Sequence, residues 1–281
     1  MKAIKSWVED SAFGAGLGLK LISLDDDSAT VRLPFAERNS NPGLALHGGC
    51  AASLGIIGGQ VMARSALGDA MGPFHTASCQ VSYLAAAIGE DVVARTHLLR
   101  RGRELCFSET RVETDDGKPI ASIQSVVRGR SGAPEPATFT TAGDDGASDP
   151  GKMGPGVAKM PFSAGRQFLV DHMTNSYARI RMPLGDANAD LGGSFHEGAM
   201  LALLDTTGAM ASWAATGPGP YKASTAAIQA QVISAPTTTE LVAYAKVIQR
   251  DNELFWSDVE IADSATALVH ARGTVIYRIV T

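Results

Sequence analysis

The chain carries the same sequence pattern twice. Displacing its 281 residues by 149 positions lays residues 31–112 on residues 180–261 without a gap. Arg32 and Pro34 then meet Arg181 and Pro183, while Asn39, Gly43, His47 and Gly49 meet Asn188, Gly192, His196 and Gly198. Farther on, Thr76, Ala77 and Gln80 meet Thr225, Ala226 and Gln229, and Glu104-Leu105 meets Glu253-Leu254. A period this long is the size of a whole domain, so the chain is expected to fold as two copies of one unit. The division expected is residues 1–130, a linker at 131–160, and residues 161–281. Around that linker the sequence turns to Gly, Pro, Ala, Ser and Thr. Such a stretch buries too little apolar surface to offset its ordering entropy, which predicts a connection running over the surface.

Both copies read alike. A strand pair over about 17–33 leads into an irregular Asn/Gly/Pro segment, a helix, and then β-rich stretches near 76–84, 91–101, 104–114 and 120–128. Turn signals such as Arg101-Gly102-Arg103 and Asp116-Gly117-Lys118-Pro119 separate them. One helix followed by hairpin-linked strands predicts an α+β fold with an antiparallel sheet. The helix is the informative element. Residues 48–63 contain no charge, and residues 198–215 contain one, Asp205. A helix apolar on every side must be covered on every side, so the sheet is expected to wrap around it.

A buried helix in an antiparallel wrap, entered through Asn41-Pro42-Gly43-Leu44-Ala45-Leu46-His47-Gly48-Gly49, resembles the hotdog fold. More narrowly it resembles the PaaI-like branch of acyl-CoA thioesterases, over both copies. The resemblance implies two tandem hotdog domains and an active site between them. One unit supplies the Asn and His-Gly side, and the other supplies a helix carboxylate with a Ser or Thr. Copy one keeps Asn41, His47 and Gly48 but has Ile56 at the carboxylate position. Copy two keeps Asp205 but has Asp190 and Glu197 where the Asn and the first glycine would stand. By matched position, the resemblance implies one complete site: Asn41, His47 and Gly48 with Asp205 and Thr225. Gly49, Arg101 and Arg103 are the candidate substrate-binding residues. The reciprocal set, His196 and Glu197 facing Ile56 and Thr76, is expected to be inactive.

The residue types suit thioester hydrolysis. A carbonyl under attack by water gains negative charge, which N–H groups at a helix N-terminus stabilise. A carboxylate can serve as general base or nucleophile, and burial raises its basicity. Structural readings stand beside these. Asp205 could be a satisfied buried acid, His47 and His196 turn-stabilising residues, and Asn39 and Asn188 turn residues. Thr225 opens a strand, where Thr is ordinary. The cluster of Arg100, Arg101, Arg103, Arg128 and Arg130 could be a solvated hairpin end. Two other functions stay open: a hotdog enoyl-CoA hydratase or dehydratase, and a non-catalytic acyl-CoA-binding module.

Composition narrows the remaining classes. A net charge of -5 argues against non-specific nucleic-acid binding. Cys50, Cys79 and Cys106 have no metal-like spacing and read as buried thiols of a reducing compartment. The histidines show no paired ligand spacing, so no metal is expected, and coenzyme A enters only as part of the substrate. No signal-peptide pattern opens the sequence, and no stretch reads as a membrane span, so a cytoplasmic location is expected. Hotdog units pair by sheet edges, here within one chain, and a homo-oligomer of such pairs is expected from the resemblance.

Overall fold

The computed structural model describes residues 1–130 and 146–280. The first copy begins with helices α1 (Lys2–Asp10) and α2 (Ala12–Leu17), followed by strands β1 (Lys20–Leu24) and β2 (Ser28–Leu33). Helix α3 (Gly48–Leu67) precedes β3 (His75–Tyr83), β4 (Val92–Arg101), β5 (Leu105–Thr114) and β6 (Pro119–Arg128). The second copy runs α4 (Gly154–Val157), α5 (Pro161–Gly165), β7 (Leu169–Thr174), β8 (Tyr177–Pro183) and α6 (Gly185–Asn188). It continues with α7 (Glu197–Thr216), β9 (Lys222–Val232), β10 (Glu240–Arg250), β11 (Leu254–Asp263) and β12 (Val269–Val280). Helices α3 and α7 superpose end to end under the 149-residue shift.

All twelve strands form one antiparallel sheet in the order β1-β2-β4-β5-β6-β3-β9-β12-β11-β10-β8-β7. The copies join at its centre, where β3 pairs with β9 and Gln80 lies opposite Gln229. These two residues are equivalent under the repeat, so a local two-fold axis passes through their pairing. Alternation drives each strand's orientation: in β2, Ala29, Val31 and Leu33 are buried and the residues between them are partly exposed. The buried sides close over α3 and α7, which lie in two adjacent hotdog domains.

Helix α3 corrects one expectation. Its length and composition do suffice for a membrane span, although the sequence reading found no such stretch. Most of it is buried here by strands and by α7, which accounts for its apolar character. The two helices meet at their first turns. A Cβ on Gly49 would stand 2.6 Å from Ala202 Cβ, and the single Ser53 hydroxyl proton lies between two acceptors, Gly49 O at 2.6 Å and Gly198 O at 2.8 Å from Oγ. Glycine is needed at this crossing because backbone itself forms the contact.

The expected linker is also revised. Residues 131–145 lie outside the described residues. The later part of the 131–160 stretch is not a surface connection: Gly154 and Val157 are buried, and Met153 and Met160 pack on the core. Phe162 of α5 stacks on His47 at 4.0 Å, and Phe13 of α2 stacks on His196 at 4.7 Å. Phe13 and Phe162 are themselves 149 residues apart, so the second copy takes in α4 and starts before residue 161. Small residues in α4 concealed it, since they pack closely without displaying an amphipathic pattern.

Candidate active site

The site is assembled at the N-terminus of α3. The segment before it turns tightly, with Asn41 N donating to Ala45 O at 2.8 Å and Leu46 N to Ala87 O at 2.8 Å. Gly43 adopts φ 86°, a conformation suited to glycine. Asn39, one of the two expected turn residues, is buried and donates to Leu17 O at 2.8 Å; its counterpart Asn188 donates to Arg166 O and Pro183 O. His47 then caps the helix, its Nδ1 accepting from Gly49 N at 3.0 Å. Burial pushes His47 down to about 3, with the nearby Arg166 charge acting in the same direction. The ring is neutral, and an accepting Nδ1 places its proton on Nε2, which faces Thr206 Oγ1 at 3.4 Å. Both nitrogens are therefore engaged in holding the turn. His196 caps α7 in the same way, accepting from Gly198 N at 3.0 Å.

This cap leaves the first amide of α3 free. Among the described residues, Gly48 N–H has no hydrogen-bond acceptor and Asn41 has no side-chain partner. Both residues line a cavity of about 330 Å³. The carboxylate comes from the other copy. Asp205 lies on α7 and is 3% exposed, with Oδ1 accepting from Thr225 Oγ1 at 2.7 Å. Its Oδ2 reaches to 2.6 Å from where a Cβ on Gly48 would stand, and accepts no hydrogen bond from the described residues. Burial raises Asp205 to about 6, while the Thr225 bond holds it partly down. A carboxylate oxygen without a hydrogen-bond partner among the described residues thus lies against the first residue of α3 across the domain junction.

The cavity brings together all five residues assigned to it by position: Asn41, His47, Gly48, Asp205 and Thr225. The three substrate-binding candidates are placed elsewhere. Gly49 is occupied by the helix crossing against Ala202. Arg101 and Arg103 lie at the β4–β5 hairpin, exposed, and neither lines the cavity. The cavity abuts Tyr83 at the end of β3, and the registers run Tyr83–Ala121, Ala121–Val112 and Val112–Ala94. Arg101 is seven residues beyond Ala94, roughly 20 Å along the strand. The hairpin lies at the opposite end of β4 from the positions that register with the cavity.

Among the lining residues that the sequence alone does not single out are Tyr83, Tyr277 and Met160. Tyr83 donates its hydroxyl to Gly48 O at 2.9 Å, bracing the turn that presents Gly48 N–H. Burial and the Asp205 charge keep that phenol protonated. Tyr277, bonded by Trp213 Nε1 at 3.2 Å, and Met160 complete the wall. A tyrosine in a strand gives no sign of which end of a helix it meets, so no signal could have singled these out.

On the other side of the two-fold axis, Ile56 is fully buried where a carboxylate would be. A different acid is present there. Glu197 is 4% exposed and accepts from Gln60 Nε2 at 2.6 Å and Thr76 N at 3.1 Å, with His75 Nδ1 at 2.8 Å. The described residues contain no cluster suited to a metal ion.

Comparison with known proteins agrees with this architecture. Residues 35–128 match the family described as acyl-CoA thioesterase N-terminal domain. A Halobacterium salinarum protein described as a putative esterase is 31% identical over 131 residues, covering 45% of this chain and 86% of that protein. The tesB protein of Mycobacterium avium subs paratuberculosis superposes with TM-score 0.68 at 12% identity, over 98% of this chain and 100% of that one. A hot dog fold protein from Alicyclobacillus acidocaldarius does so with TM-score 0.64 at 16% identity, over 98% of both chains. Fold and family thus define a double-hotdog thioester hydrolase. The chain belongs to the hotdog-fold thioesterase family.

Proposed function

We propose that the cavity between α3 and α7 hydrolyses an acyl-coenzyme A thioester to the free acid and coenzyme A. The observation that carries this reading is the free Oδ2 of Asp205 facing Gly48 across the junction of the two copies. With the thioester oxygen directed at Gly48 N–H and the Asn41 amide, the developing negative charge meets donors fixed before reaction begins. One such donor is worth about 3 kcal/mol of barrier. Asp205 acts as general base on water, or attacks the carbonyl carbon itself, and Thr225 fixes its orientation. In the first route the C–S bond breaks and the thiolate takes up the proton that Asp205 removed from water. In the second the thiolate leaves as the acyl-aspartate anhydride forms. Water then hydrolyses that anhydride, releasing the acid, freeing Asp205 and supplying the proton for the thiol. Tyr83 holds the oxyanion turn through Gly48 O. The acyl group lies against Met160, Ala209, Met210 and Tyr277, an apolar wall that suits an aliphatic or aryl chain.

Thiol release from short, medium, long and aromatic acyl-CoAs tests the reading. The intact chain is expected to turn over at least one class, and Asp205→Asn to lose that turnover while retaining its fold. Undiminished hydrolysis by a folded Asp205→Asn protein would overturn it. A single turnover in ¹⁸O-water separates the two chemical routes. General-base attack labels the product acid at once, whereas a covalent acyl-aspartate delivers unlabelled oxygen from Asp205 first.

A further inference from the structure

The reciprocal cavity contains a second assembly of acid–base groups. This cavity has a volume of about 660 Å³ and is bordered by Trp7, Gln60, Arg64, Phe74, His75 and Glu197. Under the 149-residue shift, Glu197 corresponds to Gly48, Thr76 to Thr225, and His75 to Ser224. The carboxylate missing at Ile56 has in effect been supplied from the opposite copy. Glu197 lies at the start of α7, crosses the junction, and comes to rest beside Thr76 N, 3.1 Å away.

Its bonding gives His75 a definite tautomer. Glu197 Oε2 accepts from Gln60 Nε2 and Thr76 N, and Oε1 lies 2.8 Å from His75 Nδ1. In the neutral imidazole, an acceptor at Oε1 places the proton on Nδ1 and leaves the Nε2 lone pair free. Among the described residues Nε2 has no partner, and the ring is partly exposed where it borders the cavity. An oxyanion donor is also retained: His196 takes Gly198 N, while Glu197 N–H has no acceptor among the described residues. Thr76, fully buried, keeps a hydroxyl without a partner.

We propose that this cavity is a second hydrolytic centre, with His75 as general base and Glu197 as the residue that positions it. Its substrate class is an uncharged acyl ester. Trp7, Phe74 and Ile4 supply an apolar wall on which Arg64 stacks, while Asp69, Asp190 and Glu197 outnumber that one arginine in the lining and disfavour polyanions such as coenzyme A. His75 Nε2 removes a proton from water as its oxygen bonds to the ester carbonyl carbon, and the oxyanion meets Glu197 N–H. The C–O bond to the alcohol then breaks, and the proton passes from Nε2 to the departing oxygen. Acid and alcohol are the products.

The test uses the full chain carrying Asp205→Asn, so that the first cavity is silent, with p-nitrophenyl acetate and p-nitrophenyl butyrate as probes. Ester hydrolysis is expected to persist and to fall roughly 10²-fold or more when His75→Asn is added. In the otherwise intact chain, His75→Asn is expected to leave acyl-CoA hydrolysis within two-fold of its starting rate. Near-isosteric Glu197→Gln is expected to lower kcat on the esters about ten-fold or more with KM little changed, the mark of lost orientation. A merely structural Glu197 would instead change both activities together. If Glu197→Gln does not fold, His75→Asn at the cavity edge decides the matter alone. The proposal is overturned if Asp205→Asn protein hydrolyses neither ester above the buffer rate, or if its ester activity survives His75→Asn. Persistence of acyl-CoA hydrolysis in Asp205→Asn protein would instead count against the first site.

Discussion

Oδ2 of Asp205 lies 2.6 Å from the point that a Cβ on Gly48 would occupy, although the two residues belong to different copies of the repeat. The carboxylate can pack against the first turn of α3 only because residue 48 has no side chain. Gly48→Ala should therefore displace Asp205 and lower kcat/KM roughly 10²-fold, comparable to loss of an oxyanion contact. Thiol release would report the loss, and thermal unfolding should show a much smaller change.

Burial holds the folded-state pKa of Asp205 at about 6, above the 3.8 of a free side chain. The ionised form is the competent one, so kcat/KM should rise with pH through about 6 and level off above it. Stability follows the opposite sign. Between the two values the native state binds the extra proton, so Asp205 favours folding at low pH and loses that contribution as pH rises through about 6. The shift corresponds to about 3 kcal/mol. Asp205→Asn should therefore raise Tm more at pH 8 than at pH 4.5, as measured by calorimetry. Equal changes at both pH values would contradict the burial cost.

Thr225 lowers the pKa of Asp205 by donating to Oδ1 at 2.7 Å. Replacing it by valine keeps the shape and removes the donor. The midpoint of the pH–rate profile should move upward by about one unit, since a bond to a charged acceptor is worth about 1.5–3 kcal/mol. A profile that kept its midpoint would exclude Asp205 as the titrating group.

Arg101 and Arg103 sit at the far end of the sheet from Asp205. The double variant Arg101→Ala, Arg103→Ala is expected to leave KM for acyl-CoA within two-fold. An increase of ten-fold or more in steady-state assays would restore the hairpin as a phosphate contact.

Much of this molecule is legible in its sequence because the duplication is local information. A helix without charge must be enclosed whatever lies around it, and a lone Asp205 within one is conspicuous against that background. Matching the copies position by position shows where they diverge, at Ile56 against Asp205 and Gly48 against Glu197, and the resemblance to hotdog thioesterases supplies the assignment of Asn41, Gly48 and Asp205 to one shared site. Position alone did not reveal which atoms touch. Gly49 resembles Gly48 in sequence, yet one faces Ala202 and the other Asp205, because successive residues on a helix point 100° apart. Arg101 appeared available to the ligand until strand register placed it at the opposite end of β4. The link between Glu197 and His75 spans 122 residues and two domains. Side-chain contacts at that separation depend on how the copies dock, and the packing energy that sets the docking is spread over the whole sheet rather than written in any one segment.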